Sequence, residues 1–187
     1  HAQPAGRHSG SSSRHRGGAR HRREAAPEVS GAITGAKGGS VTAIQEQAPI
    51  VAGAEIEIEA EPSEVWEVLS DIERWPSWNP EVKSASLEGE LTEGAEFHWK
   101  AGSFRINSTI RYLEPPYTIV WTGRMMGIDA VHVWRLEDED GATLIRTEES
   151  WSGLWARLFR RPLVRVLVRS LGTGLVRLKD AVEGGGG

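Results

Sequence analysis

The sequence predicts an α+β domain in which a curved antiparallel sheet of seven strands is closed by one long C-terminal helix. Three observations carry this. From Ile50 onward, apolar and polar residues alternate in runs separated by short turn-forming segments, the signature of strands with one solvated face. Beyond residue 153 the spacing of apolar residues changes to three and four, the stripe of an amphipathic helix. All eight Trp, three Phe and two Tyr lie after residue 47, so only the later part of the chain has the means to build a core.

The first strand is predicted over 50–60, with Ala54, Ile56, Ile58 and Ala60 on one face and Glu55, Glu57 and Glu59 on the other. Glu61-Pro62-Ser63-Glu64 then opens a helix. Proline suits a first turn, where its missing N–H has no partner to lose, and Glu64 suits the positive end of the dipole. Val65, Val68, Leu69 and Ile72 form that helix's apolar stripe. Pro76 and Pro80 predict that the helical region gives way to an irregular passage over 75–80.

Six further strands are predicted at 82–88, 95–100, 104–113, 117–123, 128–137 and 142–151. Turn chemistry separates them at Glu93-Gly94, Ala101–Ser103, Glu114–Pro116, Gly123–Gly127 and Asp138–Gly141. Such short connections make neighbouring strands antiparallel hairpins. Ala130, His132, Trp134 and Leu136 share one face, as do Thr143, Ile145, Thr147, Glu149 and Trp151. The last helix spans 153–183 with a break at Pro162, and Leu163, Leu167, Leu171, Leu175, Leu178 and Val182 make its stripe. A sheet apolar on one side needs a cover, and a twisted sheet folded around one helix leaves a cavity.

Charge divides where composition does. Residues 1–47 carry a net charge of +4 and the remainder −8, so a near-neutral whole hides a basic tail on an acidic domain. The tail has no aromatic residue and is expected to be disordered, and 184–187 form a flexible glycine end. The domain is therefore placed at 48–183. The tail holds four of the six His and six Arg within residues 1–23, but without the aromatic interleaving of a stacking platform no specific nucleic-acid partner is expected. The absence of Cys excludes disulfides and thiolate metal sites. The basic start lacks the apolar core of a secretory signal, and a cytoplasmic location is expected.

The segment Ala60–Pro80, AEPSEVWEVLSDIERWPSWNP, resembles the opening strand end, helix and Trp-Pro loop of the START-like (SRPBCC) superfamily. It is most similar to the polyketide cyclase/dehydrase and lipid-transport branch. Trp134-Arg-Leu-Glu137, Asp140–Thr143, Thr147–Ser150 and Leu175–Lys179 agree with it, so the resemblance covers about 48–183. It implies the helix-grip fold, with a ligand held between sheet and C-terminal helix. It does not fix an activity, because this scaffold carries lipid binders, hormone receptors, co-chaperone-like domains and cyclases.

The expected pocket wall comprises Trp99, Ile110, Trp121, Met125, Met126, His132, Trp134, Ile145, Thr147, Glu149, Leu167, Leu171 and Leu175, with Trp151 beside them in the aromatic set. His132 and Glu149 are the titratable exceptions. They read either as the acid and base of a cyclisation or dehydration, or as a polar pair that orients a ligand. Met125 and Met126, at a hairpin tip, offer an adaptable lip or an ordinary turn. Arg157, Arg161, Arg165 and Arg169 recur every four residues, either as the solvated back of a helix or as a weak contact for an anionic membrane surface. No phosphate-cradling glycine loop or Ser nucleophile motif occurs, and His98 and His132 lack metal-ligand spacing, so no cofactor and no metal are expected. Three readings follow: a carrier or sensor of an apolar small molecule, favoured by the mainly Trp, Leu and Ile inward set; a cyclase or dehydratase using His132 and Glu149; and a protein-interaction domain using the groove.

Overall fold

A computed structural model describes residues 42–185. Residues 1–41 of the expected 1–47 tail, and the last two of the 184–187 glycine end, lie outside the described residues. The strands are β1 (Ile50–Ile58), β2 (Val82–Leu87), β3 (Glu96–Ala101), β4 (Phe104–Glu114), β5 (Thr118–Met125), β6 (Ile128–Glu139) and β7 (Ala142–Ser152). The helices are α1 (Pro62–Ser70), α2 (Trp75–Trp78), α3 (Leu154–Leu158) and α4 (Arg160–Gly184), with a 3-10 turn over Ile72–Arg74. All strands pair antiparallel in one sheet of order β1-β7-β6-β5-β4-β3-β2, the helix-grip arrangement that the resemblance implies. None of the described helices is long and apolar enough to cross a membrane.

The α4 stripe Leu167, Leu171, Leu175 and Leu178 is buried, and the helix packs chiefly against β1. At the other side of the concave face, Trp75 fills the space over β3 and β5. Its ring lies 5.7 Å from Phe97, 5.8 Å from Trp99 and 5.6 Å from Trp121 by centroids, and its Nε1 donates to Leu69 O at 2.8 Å.

Local details differ from the sequence reading, each for a physical reason. The 75–80 passage is mostly helical: Pro76 sits in the first turn of α2, where a proline starts a helix and does not end one. The C-terminal helix breaks at Phe159, not at Pro162. Pro162 is the third residue of α4, again in a first turn whose N–H groups have no intrahelical partner. The first strand ends at Ile58, two residues early. Strand β5 runs on to Met125, because the turn is only Met126-Gly127, both with positive φ (48° and 74°) as a two-residue primed hairpin demands.

The packed domain also begins before residue 48. Ile44 packs against Val120, Val131 and Val133 on the convex face of the sheet. Gln45 N donates to Ser150 Oγ at 3.0 Å, and Arg135 Nη2 donates to Thr42 O at 2.9 Å. These contacts make 42–46 a strap across the outer surface.

Gly153 joins β7 to α3 with φ 107° and ψ 174°, a conformation open essentially to glycine alone. A Cβ there would lie 2.3 Å from Gly127 O, and one on Gly127 would meet Trp155 Cδ1 at 3.3 Å. The two glycines thus let the β5–β6 hairpin tip and the start of α3 touch. Gly153→Ala should therefore cost more than the roughly 1–3 kcal/mol of strained backbone alone. Gly89→Ala, which has φ 81° and open space around it, should cost only about 1 kcal/mol. Urea unfolding of the two variants gives the comparison; equal losses would show that the contact carries no weight.

Candidate functional site

Cross-strand register explains where the sheet is not filled. One inward row runs Phe97, Ser108, Gly123, Ala130, Trp151, Ile50 across six strands. Its middle members are small, on the three central strands β4, β5 and β6. The next row runs Ile110, Trp121, His132, Glu149, Ala52 and is bulky. Above Ser108, Gly123 and Ala130 lies a cavity of about 480 Å³. Trp99, Trp121 and Trp151 wall it on the sheet side, and Leu163, Val166 and Ser170 of α4 wall it opposite. Met125 and Met126 from the hairpin, Phe104 from β4, and Trp155 and Phe159 at the α3–α4 junction form its rim. A smaller cavity of about 110 Å³ adjoins it, bounded by Trp75, Trp78, His132, Trp134, Leu171 and Gly174. Trp99, Ala101, Trp121, Glu149 and Ser170 border both, so the Glu149 carboxyl sits at their junction.

The polar groups there are few and mostly engaged. Glu149 Oε1 accepts from Trp151 Nε1 at 2.7 Å, and Oε2 lies 3.6 Å from His132 Nδ1. Thr147 Oγ1 lies 2.7 Å from His132 Nε2 and 3.3 Å from Val133 O; with its hydroxyl given to that carbonyl it accepts from Nε2–H, and Nδ1 is left bare. Trp99 Nε1 donates to Ser108 Oγ at 3.1 Å. The indole N–H groups of Trp78 and Trp134 are buried without a partner among the described residues. Both border the smaller cavity.

Burial decides the charge state. The Glu149 carboxyl, in a mostly aromatic wall, is pushed up from 4.5 to about 7, only partly offset by the Trp151 hydrogen bond. Burial also pushes His132 down from 6.5 to about 3. At pH 6 the site therefore presents a neutral carboxylic acid beside a neutral imidazole. A neutral acid can donate to a ligand oxygen without placing a charge in an apolar cavity.

The structure brings Trp99, Trp121, Met125, Met126 and Glu149 to the larger cavity, and His132, Trp134 and Leu171 to the smaller one. It does not bring Ile110, Ile145, Thr147, Leu167 or Leu175 to either wall. All five are fully buried, the four apolar ones in the packed core and Thr147 against His132. Sequence reasoning missed Ser108, Gly123 and Ala130, which lie two residues from chosen inward positions, because it selected for bulk. It also missed Trp155 and Phe159, whose rings stack at 5.5 Å.

Away from the cavities, Glu88, Glu96 and His98 have potential ligand atoms within 4.8 Å of one another. His98 Nε2 lies 3.0 Å from Glu88 Oε1 and Nδ1 3.0 Å from Asn107 Oδ1. Linear spacing hid this group; the β2–β3 register, with Ser86 opposite His98, assembles it.

Folding leaves the number of protons on the pair unchanged over a wide range. Between 4.5 and 7 the folded Glu149 keeps a proton that the unfolded carboxyl releases, so its contribution to stability falls as pH rises. Between about 3 and 6.5 the unfolded His132 holds a proton that the folded one lacks, so its contribution is lost as pH falls. The two slopes oppose each other from 4.5 to 6.5. Glu149→Gln removes one of them. Its stability relative to the parent should rise from pH 4.5 to 7, by up to about 1.4 kcal/mol per pH unit, and level off above. Denaturant titrations across that range read the difference; a flat one would show that Glu149 is not held protonated.

Comparison with known proteins places this geometry. The family model described as polyketide cyclase/dehydrase and lipid transport matches residues 50–183. No curated protein gives a significant sequence match. Among solved structures, hypothetical protein jhp0584 from Helicobacter pylori is similar with a TM-score of 0.66 and 17% identity, over 81% of this chain and 99% of that one. A START superfamily protein from Mycobacterium smegmatis follows with a TM-score of 0.61 and 15% identity, over 72% and 97%. DynU16, described as a protein in the dynemicin biosynthetic locus, gives 0.60 and 20%, over 72% of this chain and 48% of that one. At these identities the likeness shows the fold.

Proposed function

The chain belongs to the polyketide cyclase/dehydrase and lipid-transport family, and we propose that it binds and carries a small apolar molecule bearing one oxygen function. The observation that supports this most directly is the cavity of about 480 Å³ over Ser108, Gly123 and Ala130, large enough for a lipid chain or a polyketide-like ring system. The apolar body lies in that cavity. The oxygen sits at the junction, where protonated Glu149 is a donor, with the partnerless indoles of Trp78 and Trp134 beside the smaller cavity.

The cavity is lined by Trp99, Trp121, Trp151 and Trp155, so energy transfer from tryptophan to bound cis-parinaric acid reports occupancy. Ala130→Phe fills the floor from a central strand. It should weaken parinaric acid binding by about tenfold or more while leaving the unfolding free energy within about 1.5 kcal/mol of the parent. Undiminished binding would place the ligand elsewhere. Native mass spectrometry of protein from its own cells then identifies the resident molecule.

One observation favours a second reading, cyclase or dehydratase chemistry. An acid held near 7 beside a neutral imidazole is suited to general acid–base work at physiological pH. On that reading His132→Ala, assayed against a poly-β-keto thioester, abolishes turnover and leaves affinity mostly intact. On the carrier reading there is no turnover to abolish.

A further inference from the structure

The rim of the cavity exposes more apolar surface than a solvated lip requires. Helix α3 turns only Ala156 inward, while Leu154 is 71% exposed, Leu158 67% and Trp155 47%. Phe159, Val166 and Met126 continue the patch at 45%, 55% and 72%. A contiguous apolar surface of this kind marks a contact site. Trp155, Phe159, Val166 and Met126 also line the larger cavity, so the patch and the cavity mouth are one surface.

Charge narrows what the patch meets. Arg157, Arg160, Arg161, Arg165 and Arg169 are all exposed, and among the described residues none forms an ion pair. No Asp or Glu occurs between Glu149 and Asp180. Val166, on the mouth, lies between Arg165 and Arg169 in sequence. A second copy laid on this patch would bring up a second set of these arginines with no acid between Glu149 and Asp180 to offset them, which repels. An anionic bilayer meets both demands at once: headgroup phosphates take the guanidiniums, and the acyl boundary takes Leu154, Trp155, Leu158 and Phe159.

We propose that the α3 lip docks the domain on an anionic bilayer, so that the cavity mouth opens towards the acyl phase and its ligand exchanges without crossing water. The exchange clause rests on the carrier reading above; the docking does not.

The test uses the full chain with vesicles of phosphatidylcholine alone and with roughly one-third phosphatidylglycerol, by co-sedimentation at moderate salt. Leu154→Ser/Leu158→Ser alters two side chains that touch no cavity wall. It should bind the anionic vesicles at least about tenfold more weakly than the parent and keep its parinaric acid affinity in solution. Arg161→Gln/Arg165→Gln/Arg169→Gln should lose a comparable amount, and the parent should bind pure phosphatidylcholine about tenfold more weakly than the mixture. Because every variant keeps the basic residues 1–47, binding unchanged by the α3 substitutions would assign membrane attraction to that segment and overturn the proposal. So would a dimer seen by light scattering that Leu154→Ser/Leu158→Ser disperses, with no vesicle binding by the parent, since the lip would then belong to a second copy. The single variants Leu154→Ser and Leu158→Ser, which also touch no cavity wall, repeat the measurement should the double variant fold poorly. Failure of parinaric acid binding with docking retained would sink the carrier reading alone.

Discussion

A single helix has to cover the concave face of seven strands, and everything else in the domain follows from its inability to do so. Helix α4 spends its buried leucines on one edge of the sheet, against β1. The uncovered strands are dealt with in two ways. Around Trp75 they are sealed with indole and phenyl rings. Along Ser108, Gly123 and Ala130 they are left with side chains too small to reach anything above them. Close packing would eliminate such a space in an ordinary core, and a void of this size costs stability. Its persistence beside an otherwise densely filled aromatic cluster is what makes it a candidate site.

The same shortage of cover sets the electrostatics. Glu149 stands on the boundary between the two cavities, with no cation among the described residues near enough to hold it ionised and one indole hydrogen bond as compensation. The imidazole beside it is anchored through Nε2 by Thr147, and with the Thr147 hydroxyl given to Val133 O it turns a bare Nδ1 towards the carboxyl. A small apolar cavity thereby acquires a single proton donor whose protonation changes near neutrality.

Much of this was legible in the sequence, for identifiable reasons. The strands were readable because each turn carries Gly, Pro or Asp, and because a one-sided sheet enforces alternation. The opening helix was readable from Glu61-Pro62 and its stripe. Pro76 and Pro162 misled, because proline both starts and stops helices and only the hydrogen-bond register tells which. The cavity floor was illegible: Ser108, Gly123 and Ala130 signify nothing singly, and only the register that aligns them across three strands gives them meaning. His132 and Glu149 stood out because a titratable residue at an inward position has to be explained. The group Glu88, Glu96 and His98 was hidden by the same dependence on register.

The strap at 42–46 carries a consequence for how the domain is handled. Composition places the start of the domain at residue 48, and a fragment cut there would discard Ile44 and the Gln45–Ser150 and Arg135–Thr42 hydrogen bonds. Three valines on the convex side, Val120, Val131 and Val133, would then face water on the very strands whose other side is already underfilled. The central sheet would be thin on both surfaces. Such a fragment would be sticky and softened beside the cavity, and its behaviour would misrepresent the protein. The excision point that respects the physics lies ahead of Thr42.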